Sequence, residues 1–229
     1  SMANKFKEFD CFYYVYQNDF RGRKYVASSF LTPQGPDYSK GLLCFAETAP
    51  LTREGMYWLA VHGANCFGED KVSFDNRNGW VEENTDKIIQ TATNPYEYKW
   101  WQDADSPWQF LAFCFEWKEI QSKLSKNLKL GDINSRIPVS LDGSNNGLQH
   151  LSAIARDRVG AISTNLVPSE TPNDIYQDVA NEVIKVLETR KSHDEMARQW
   201  LEFGINRKTT KRPVMVVPYG GKLFSTRQY

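Results

Sequence analysis

The stretch L-D-G-S-N-N-G-L-Q-H-L-S, Leu141 to Ser152, places a single carboxylate, Asp142, in a run of small, amide and apolar residues. An apolar approach (Ile137, Pro138, Val139, Leu141) leads into it, Gly143 follows it, and a second glycine, Gly147, stands five positions after the acid. Residues 131–141 read as a loop leading into a short strand, and Gln149 to Arg156 as a helix. An aspartate at a strand end, followed by glycine, suits metal binding, because the chain can turn there and offer a backbone carbonyl beside the carboxylate. A turn or helix-capping aspartate fits the same letters, since D-G and N-G are common turn dipeptides. Standing alone, the turn is the better reading.

A second unusual segment lies downstream. N-R-K-T-T-K-R, Asn206 to Arg212, puts Arg207, Lys208, Lys211 and Arg212 within six residues. Arg207 and Lys211 are four apart and share a helix face, with Lys208 and Arg212 on a neighbouring row. Tyr219 follows eight residues beyond Lys211, on roughly the same side, and Gly220 comes directly after it. Pro213 and Pro218 fall inside this segment. A helix starting near Arg207 has Pro213 in its interior, where proline removes a hydrogen bond and predicts a kink. By itself the segment fits a solvated basic helix end.

A chain of 229 residues, 41% hydrophobic and 24% charged, has the composition of a globular protein with a sizeable core. Its many aromatic residues argue against disorder. No apolar run approaches the roughly 18 residues of a membrane span. The 28 basic and 28 acidic residues cancel, so a wholesale polyanion-binding surface is not expected, although a local basic site is. Cys11, Cys44, Cys66 and Cys114 show neither C-x-x-C pairing nor metal-like spacing with His62, His150 or His193, and are expected to be reduced and buried. Ser1-Met2 reads as a tag remnant, with the natural start expected upstream.

Phe12 to Tyr16 and Lys24 to Phe30 are predicted strands around a turn centred on Gly22. Helices are predicted over Thr52 to Asn65, about Val81 to Ala92, and Pro107 to Leu124, the last buried. P-S-E-T-P (Pro168 to Pro172) reads as the cap of a helix carrying Ile175, Tyr176, Val179, Val183 and Val186 on one face. His193 to Phe203 is a further predicted helix, ended at Gly204.

Together, L-D-G-S-N-N-G-L-Q-H and R-x-x-x-K-R-x-x-x-x-x-x-Y-G (Arg207 to Gly220) resemble motifs A and B of the single-subunit DNA-directed RNA polymerases, the bacteriophage T7-type family that includes the mitochondrial enzymes. Further blocks resemble that family in the same order. They are D-F-R-G-R (Asp19 to Arg23), P-Q-G-P-D-Y-S-K-G-L-L (Pro33 to Leu43), V-H-G-A-N-C (Val61 to Cys66), D-S-P-W-Q-F-L-A-F-C-F-E (Asp105 to Glu116) and N-L-V-P-S-E-T-P-N-D-I-Y (Asn165 to Tyr176).

The resemblance implies an α+β fold, mostly helical, with a small antiparallel palm sheet carrying Asp142 near a strand end and a partial helical fingers region. It places the palm at 1–158 and the start of the fingers at 159–229. It implies template-directed RNA synthesis by nucleotidyl transfer of rNTPs, using two Mg²⁺ ions in the complete enzyme. Asp142 would be one of two metal-binding aspartates, with the Gly143 carbonyl a further ligand. Arg207 and Lys211 would hold the triphosphate, Tyr219 would sit by the ribose and templating pair, and Tyr176 near the incoming nucleotide. Tyr176 equally fits a core position on the apolar face of its helix. Asp19, Arg21 and Arg23 would contact nucleic-acid backbone, with a hairpin-stiffening Asp-Arg pair as the alternative. Gln149 and His150 would line the hybrid site.

The family's second catalytic aspartate lies in an H-D-S motif downstream of motif B. S-H-D-E (Ser192 to Glu195) precedes motif B and is therefore read as a helix cap. Lacking H-D-S, the chain is expected to be a polymerase fragment, inactive alone, monomeric and not membrane-bound, with DNA template, RNA product, rNTPs and the remainder of the polymerase as partners. H-L-S-A-I-A-R-D-R-V-G (His150 to Gly160) favours a phage source acting in the bacterial cytoplasm over the mitochondrial matrix. A family A DNA polymerase has a similar motif B, but carries a glutamate where Gly147 stands, whose bulk excludes a ribose 2′-hydroxyl; the bare glycine is expected to leave room for a ribonucleotide. A non-catalytic nucleic-acid-binding fragment is the remaining alternative.

Overall fold

The computed structural model describes residues 2–20, 22–141 and 143–227. In chain order the elements are α1 (Met2–Phe6), β1 (Tyr16–Asn18), β2 (Lys24–Val26), α2 (Asp37–Gly41), β3 (Ala49–Pro50), α3 (Arg53–Phe67), α4 (Phe74–Glu83), α5 (Thr85–Thr93) and α6 (Pro107–Ser125). They continue with β4 (Asn134–Ser135), α7 (Asn146–Ala155), α8 (Arg158–Ser163), α9 (Ile175–Arg190), α10 (Glu195–Phe203), α11 (Arg207–Val216) and α12 (Leu223–Thr226). At 57% helix with two small antiparallel sheets, this is the mostly helical α+β fold expected. β1 pairs with its neighbour β2, whereas β3 pairs with the distant β4. By its contacts the chain divides into two compact units, Ser1–Leu141 and Asp142–Tyr229.

In the first unit the core is built on α3, α5 and α6. Phe110, Phe113, Leu59, Val61, Ile88 and Ile120 are almost wholly buried, with Val81 of α4 and Ile133 before β4 joining them. α6 begins as its sequence dictates, with Pro107 at the first helical position, where its missing N–H costs nothing. The next two amides are capped from another element: Asp37 of α2 accepts Trp108 N–H at 2.7 Å and Gln109 N–H at 3.2 Å. Beside this cap Gly41 lies so close to α6 that a β-carbon would come within 2.7 Å of the Trp108 backbone. Two of the quoted sequence blocks thus pack on one another.

The block Val61–Cys66 is structural throughout. Val61 and Ala64 are fully buried, and a β-carbon on Gly63 would meet the Phe113 ring at 2.4 Å. Asn65 accepts a 2.8 Å hydrogen bond from the buried guanidinium of Arg77, whose other nitrogens reach the Val72 and Asp70 carbonyls. His62 Nδ1 accepts the Ser140 amide at 3.4 Å, and Nε2 faces Cys66 Sγ at 3.6 Å. This is the neutral ring with its proton on Nε2. Burial pushes the His62 pKa from 6.5 down to about 4.

Because the folded pKa is depressed, the unfolded chain binds the extra proton first between these two values. Stability from neutral His62 is therefore complete above about pH 6.5 and is lost as pH falls toward 4, by on the order of 3 kcal/mol in total. Urea titrations between pH 4 and 7 should show this slope, and His62→Gln should flatten it. An unchanged slope in His62→Gln would assign the effect to other groups.

Several sequence expectations shift. The predicted helix over 81–92 is two helices, α4 and α5, meeting at Asn84, whose side chain donates to the Trp80 carbonyl at 2.8 Å. Such side-chain bonds to the preceding turn compete with helix continuation. The predicted strands shrink to Tyr16–Asn18 and Lys24–Val26, around Gly22 at φ +76°. Residues 136–141 form no strand. The extended segment bears Pro138, which cannot donate to a ladder, and pairing stops at Asn134–Ser135. On α6, Phe110, Phe113, Cys114 and Trp117 are buried while Trp108 and Phe115 are exposed, so only one side of the predicted buried helix is core. Cys66 and Cys114 are buried, with burial pushing the Cys66 thiol up to about 12, but Cys11 and Cys44 are exposed.

In the second unit, α9 is capped by Asp174, which accepts Tyr176 N–H at 3.1 Å, rather than by P-S-E-T-P. Ser169 instead bonds the Thr171 carbonyl within the loop. The apolar stripe of α9 is buried at Tyr176 and Ala180 and exposed at Val183 and Val186. Asp194 caps α10 through the Met196 and Ala197 amides, as S-H-D-E was read, and Gly204 ends that helix.

Candidate functional site

The basic segment starts where expected. Asn206 and Thr209 form a capping box: Asn206 Oδ1 accepts Lys208 N–H at 2.8 Å and Thr209 Oγ1 accepts Asn206 N–H at 2.9 Å. The helix therefore begins at Arg207 and puts Lys211 one turn further along. Pro213 sits inside α11, and the helical assignment nonetheless runs on to Val216. There it tightens into a 3₁₀ turn, Val217–Tyr219, closed by Gly220 at φ +76°. Lys208, Lys211 and Arg212 are exposed, and Tyr219 is 61% exposed.

That turn lands on α7. Asn145, in the left-handed region at φ 57°, sets the start of α7, and Gly147 follows in its first turn. A β-carbon on Gly147 would stand 3.0 Å from Pro218 Cβ and 3.7 Å from the Tyr219 hydroxyl. The position expected only to leave room is a packed contact: Gly147 lets the Pro218 ring and the Tyr219 hydroxyl approach the helix.

Arg207 and Tyr176 also come together. The guanidinium carbon of Arg207 lies 5.4 Å from the centre of the Tyr176 ring, and its Nε donates to Asp174. Tyr176 is 7% exposed, and its hydroxyl donates to Asn145 Oδ1. Burial raises the phenol pKa, opposed by Arg207 and aided by Asp174 and Tyr219, so the hydroxyl stays protonated as a donor. Thr210 Oγ1 donates to the Tyr176 carbonyl at 2.6 Å, fixing α11 to α9. Tyr176 thus occupies the core position its sequence context allowed, while linking the residue after Gly143-Ser144 to the first arginine of the basic helix. Asn145, Asp174 and Thr210 were not singled out from the sequence. Only Asp174 carried a signal there, as an N-cap residue just before an apolar helical period.

Gln149 is half-buried, and its Nε2 donates to the Thr164 carbonyl at 2.7 Å, while His150 is exposed. In the first unit, Asp19 Oδ1 accepts Arg23 N–H at 2.9 Å across the β1–β2 turn, and Arg23 is exposed. This is backbone stiffening of the hairpin by Asp19. Asp142 and Arg21 lie outside the described residues. Gly143 is exposed, and among the described residues no group of three or more His, Cys, Asp or Glu side chains is placed to hold a metal. Chemically, the arrangement offers a half-exposed guanidinium and an exposed ammonium one turn apart, with an exposed phenol against a glycine on a facing helix. This combination can engage a polyanion joined to a ring system.

Among the described residues, no helix is long and apolar enough to cross a membrane. The sequence matches the model of the DNA-dependent RNA polymerase family over residues 49–229. It is 42% identical to T7 RNA polymerase of Escherichia phage T7 over 252 aligned residues, which take in 99% of this chain and 28% of that protein. It is 40% identical to the DNA-directed RNA polymerase of Enterobacteria phage K11 over 253, covering 100% of this chain and 27% of that protein. The mitochondrial DNA-directed RNA polymerase of Neurospora crassa is 39% identical over 213, covering 91% of this chain and 14% of that protein. The chain thus spans little more than a quarter of the length of its phage relatives. With the basic helix, its closing tyrosine and the facing glycine in place, the chain belongs to the single-subunit DNA-dependent RNA polymerase family of phages and mitochondria.

Proposed function

We propose that this chain carries the nucleotide-binding part of an enzyme that copies a DNA template into RNA. In that reaction a 3′-hydroxyl oxygen bonds to the α-phosphorus of an rNTP, the bond to the bridging oxygen breaks, and pyrophosphate leaves. Residues 1–158 are assigned to the palm and 159–229 to the start of the fingers. Arg207 and Lys211 draw the triphosphate and stabilise charge moving onto the leaving pyrophosphate, as cationic clamps do in phosphoryl transfer. Tyr219 offers a ring face to the base and sugar, and Gly147 marks the ribose side of the site. Tyr176 acts behind Arg207, as a buried support. Arg21, Arg23 and His150 are assigned to nucleic-acid backbone and the hybrid, with Asp19 and Gln149 shaping those surfaces.

The single observation that carries the reading is the contact of Gly147 with Pro218 and Tyr219, which brings the two quoted segments together. Glycine at that position also favours an RNA polymerase over a DNA polymerase that carries glutamate there.

Divalent magnesium, when bound, would supply charge stabilisation for the attacking and leaving oxygens. Asp142 and the Gly143 carbonyl would provide only part of its shell, since magnesium is held by carboxylates together with phosphates and water. The site belongs to the bacterial cytoplasm on a phage reading of the relatives.

Primer extension on a DNA template tests this. The 229 residues alone contain no H-D-S and are expected to incorporate no rNTP. In the whole polymerase, Lys211→Ala should slow rNTP incorporation by on the order of 10²-fold, and Asp142→Ala should abolish it. Incorporation that survives Asp142→Ala, or that prefers dNTPs to rNTPs, would overturn the proposal.

A further inference from the structure

One carboxylate serves two helices. Asp174 Oδ1 accepts the Tyr176 amide at 3.1 Å and caps α9, while Oδ2 accepts Arg207 Nε. The Arg207 amide donates to Gln177 Oε1 at 3.2 Å, and its guanidinium rests on the Tyr176 ring. The first turn of α11 is therefore fastened to the first turn of α9, with the guanidinium held by its inner nitrogen. The pair is partly open to water, with side-chain exposures of 39% for Arg207 and 32% for Asp174. Guanidinium donors form a rigid planar fork, so fixing Nε fixes the direction of the two outer nitrogens as well.

We infer that Asp174 is a positioning residue for polyphosphate, holding Arg207 by Nε so that its outer nitrogens meet phosphate oxygens beside Lys211. This rests on the triphosphate reading above. Two effects of Asp174 oppose each other. Its negative charge offsets part of the attraction Arg207 exerts on an anion, and its hold removes rotamer freedom that a free arginine would lose on binding. At a partly exposed site water and salt screen the first effect, whereas the second is unaffected by screening. The net result is tighter binding.

The cap and the hold can be separated by side-chain length. Asp174→Ser keeps an oxygen able to cap α9 but is too short to reach Arg207. Arg207→Lys keeps the positive charge but has no Nε donor. Inorganic tripolyphosphate is titrated into ¹⁵N-labelled chain, following the backbone amides of residues 207–211 and the arginine Nε–H signals. Arg207→Ala and Lys211→Ala should each weaken binding about tenfold, as expected for loss of one charge-assisted contact.

Asp174→Ser should weaken binding about three- to tenfold by the same reasoning, speed exchange of the Arg207 Nε–H, and leave the α9 amide signals in place. Arg207→Lys should fall with it. Asp174→Ser binding tripolyphosphate as tightly as wild type, or more tightly, would show that Asp174 is a cap or a brake and overturn the inference. Should Asp174→Ser fail to fold, Arg207→Lys decides: tripolyphosphate affinity equal to wild type overturns the inference, and a loss supports it. Arg207→Ala and Lys211→Ala that both bind like wild type would instead remove the underlying triphosphate reading.

Discussion

Gly147→Ala is expected to lower rNTP incorporation several-fold in the whole polymerase, because its neighbour must give by a few tenths of an ångström, where a displacement of about 1 Å can cost on the order of 10²-fold. The new β-carbon would stand 3.0 Å from Pro218 Cβ, so Pro218 must give way, and Tyr219 is the next residue. Proline's ring fixes its own φ and leaves little local freedom to absorb the shift. Gly147→Glu should have a larger effect on rNTPs than on dNTPs, since it adds bulk on the side assigned to the ribose. Single-nucleotide incorporation with matched rNTP and dNTP measures both. Wild-type rNTP kinetics in Gly147→Ala would show that the 3.0 Å contact relaxes without moving Tyr219. Equal losses for the two sugars in Gly147→Glu would separate the packing role from sugar selection.

The second large effect is on stability. Phe113→Ala should cost about 3–5 kcal/mol, the range for removing a buried aromatic side chain. Phe113 is fully buried, stacked on Phe110 and tilted against Trp117, with ring centres 5.9 and 5.5 Å away. Gly63→Ala should cost about 1–3 kcal/mol for the opposite reason, overpacking, since its β-carbon would meet that ring at 2.4 Å. The two changes should therefore be strongly non-additive. In a Phe113→Ala background the added methyl at position 63 enters vacated space and should cost nothing, or recover part of the loss. Urea denaturation of the four proteins closes the cycle. A Gly63→Ala penalty of the same size in both backgrounds would sink this account of the α3–α6 contact.

The candidate site was unevenly legible. Arg207, Lys211 and Tyr219 could be marked from charge spacing and resemblance, because a helix converts sequence distance into a shared face. The start of α11 was equally readable, since Asn206 and Thr209 satisfy each other's polar groups within four residues. Pro213 falls inside α11, as expected, and α11 runs to Val216 before tightening into the turn bearing Tyr219. Asp19 was read as one half of a hairpin-stiffening Asp-Arg pair; that its carboxylate takes the Arg23 amide is something no pattern of side-chain types reveals. Asp174 carried a cap signal in the sequence. That its second oxygen also holds Arg207, 33 residues away, needed the docking of two helices.

The same division runs through the fold. Local hydrogen bonding and hydrophobic period determined the main helices and the cap at Asp194, because those interactions close within a few residues, and the resemblance of the motifs pointed to the family. Tertiary packing decided what the glycines are for: Gly41 against α6, Gly63 against Phe113, and Gly147 against Pro218 and Tyr219. A glycine in a sequence states only that a side chain is absent. Which backbone or ring occupies the space it leaves is fixed when distant segments pack, and at Gly147 that packing brings the two quoted segments together.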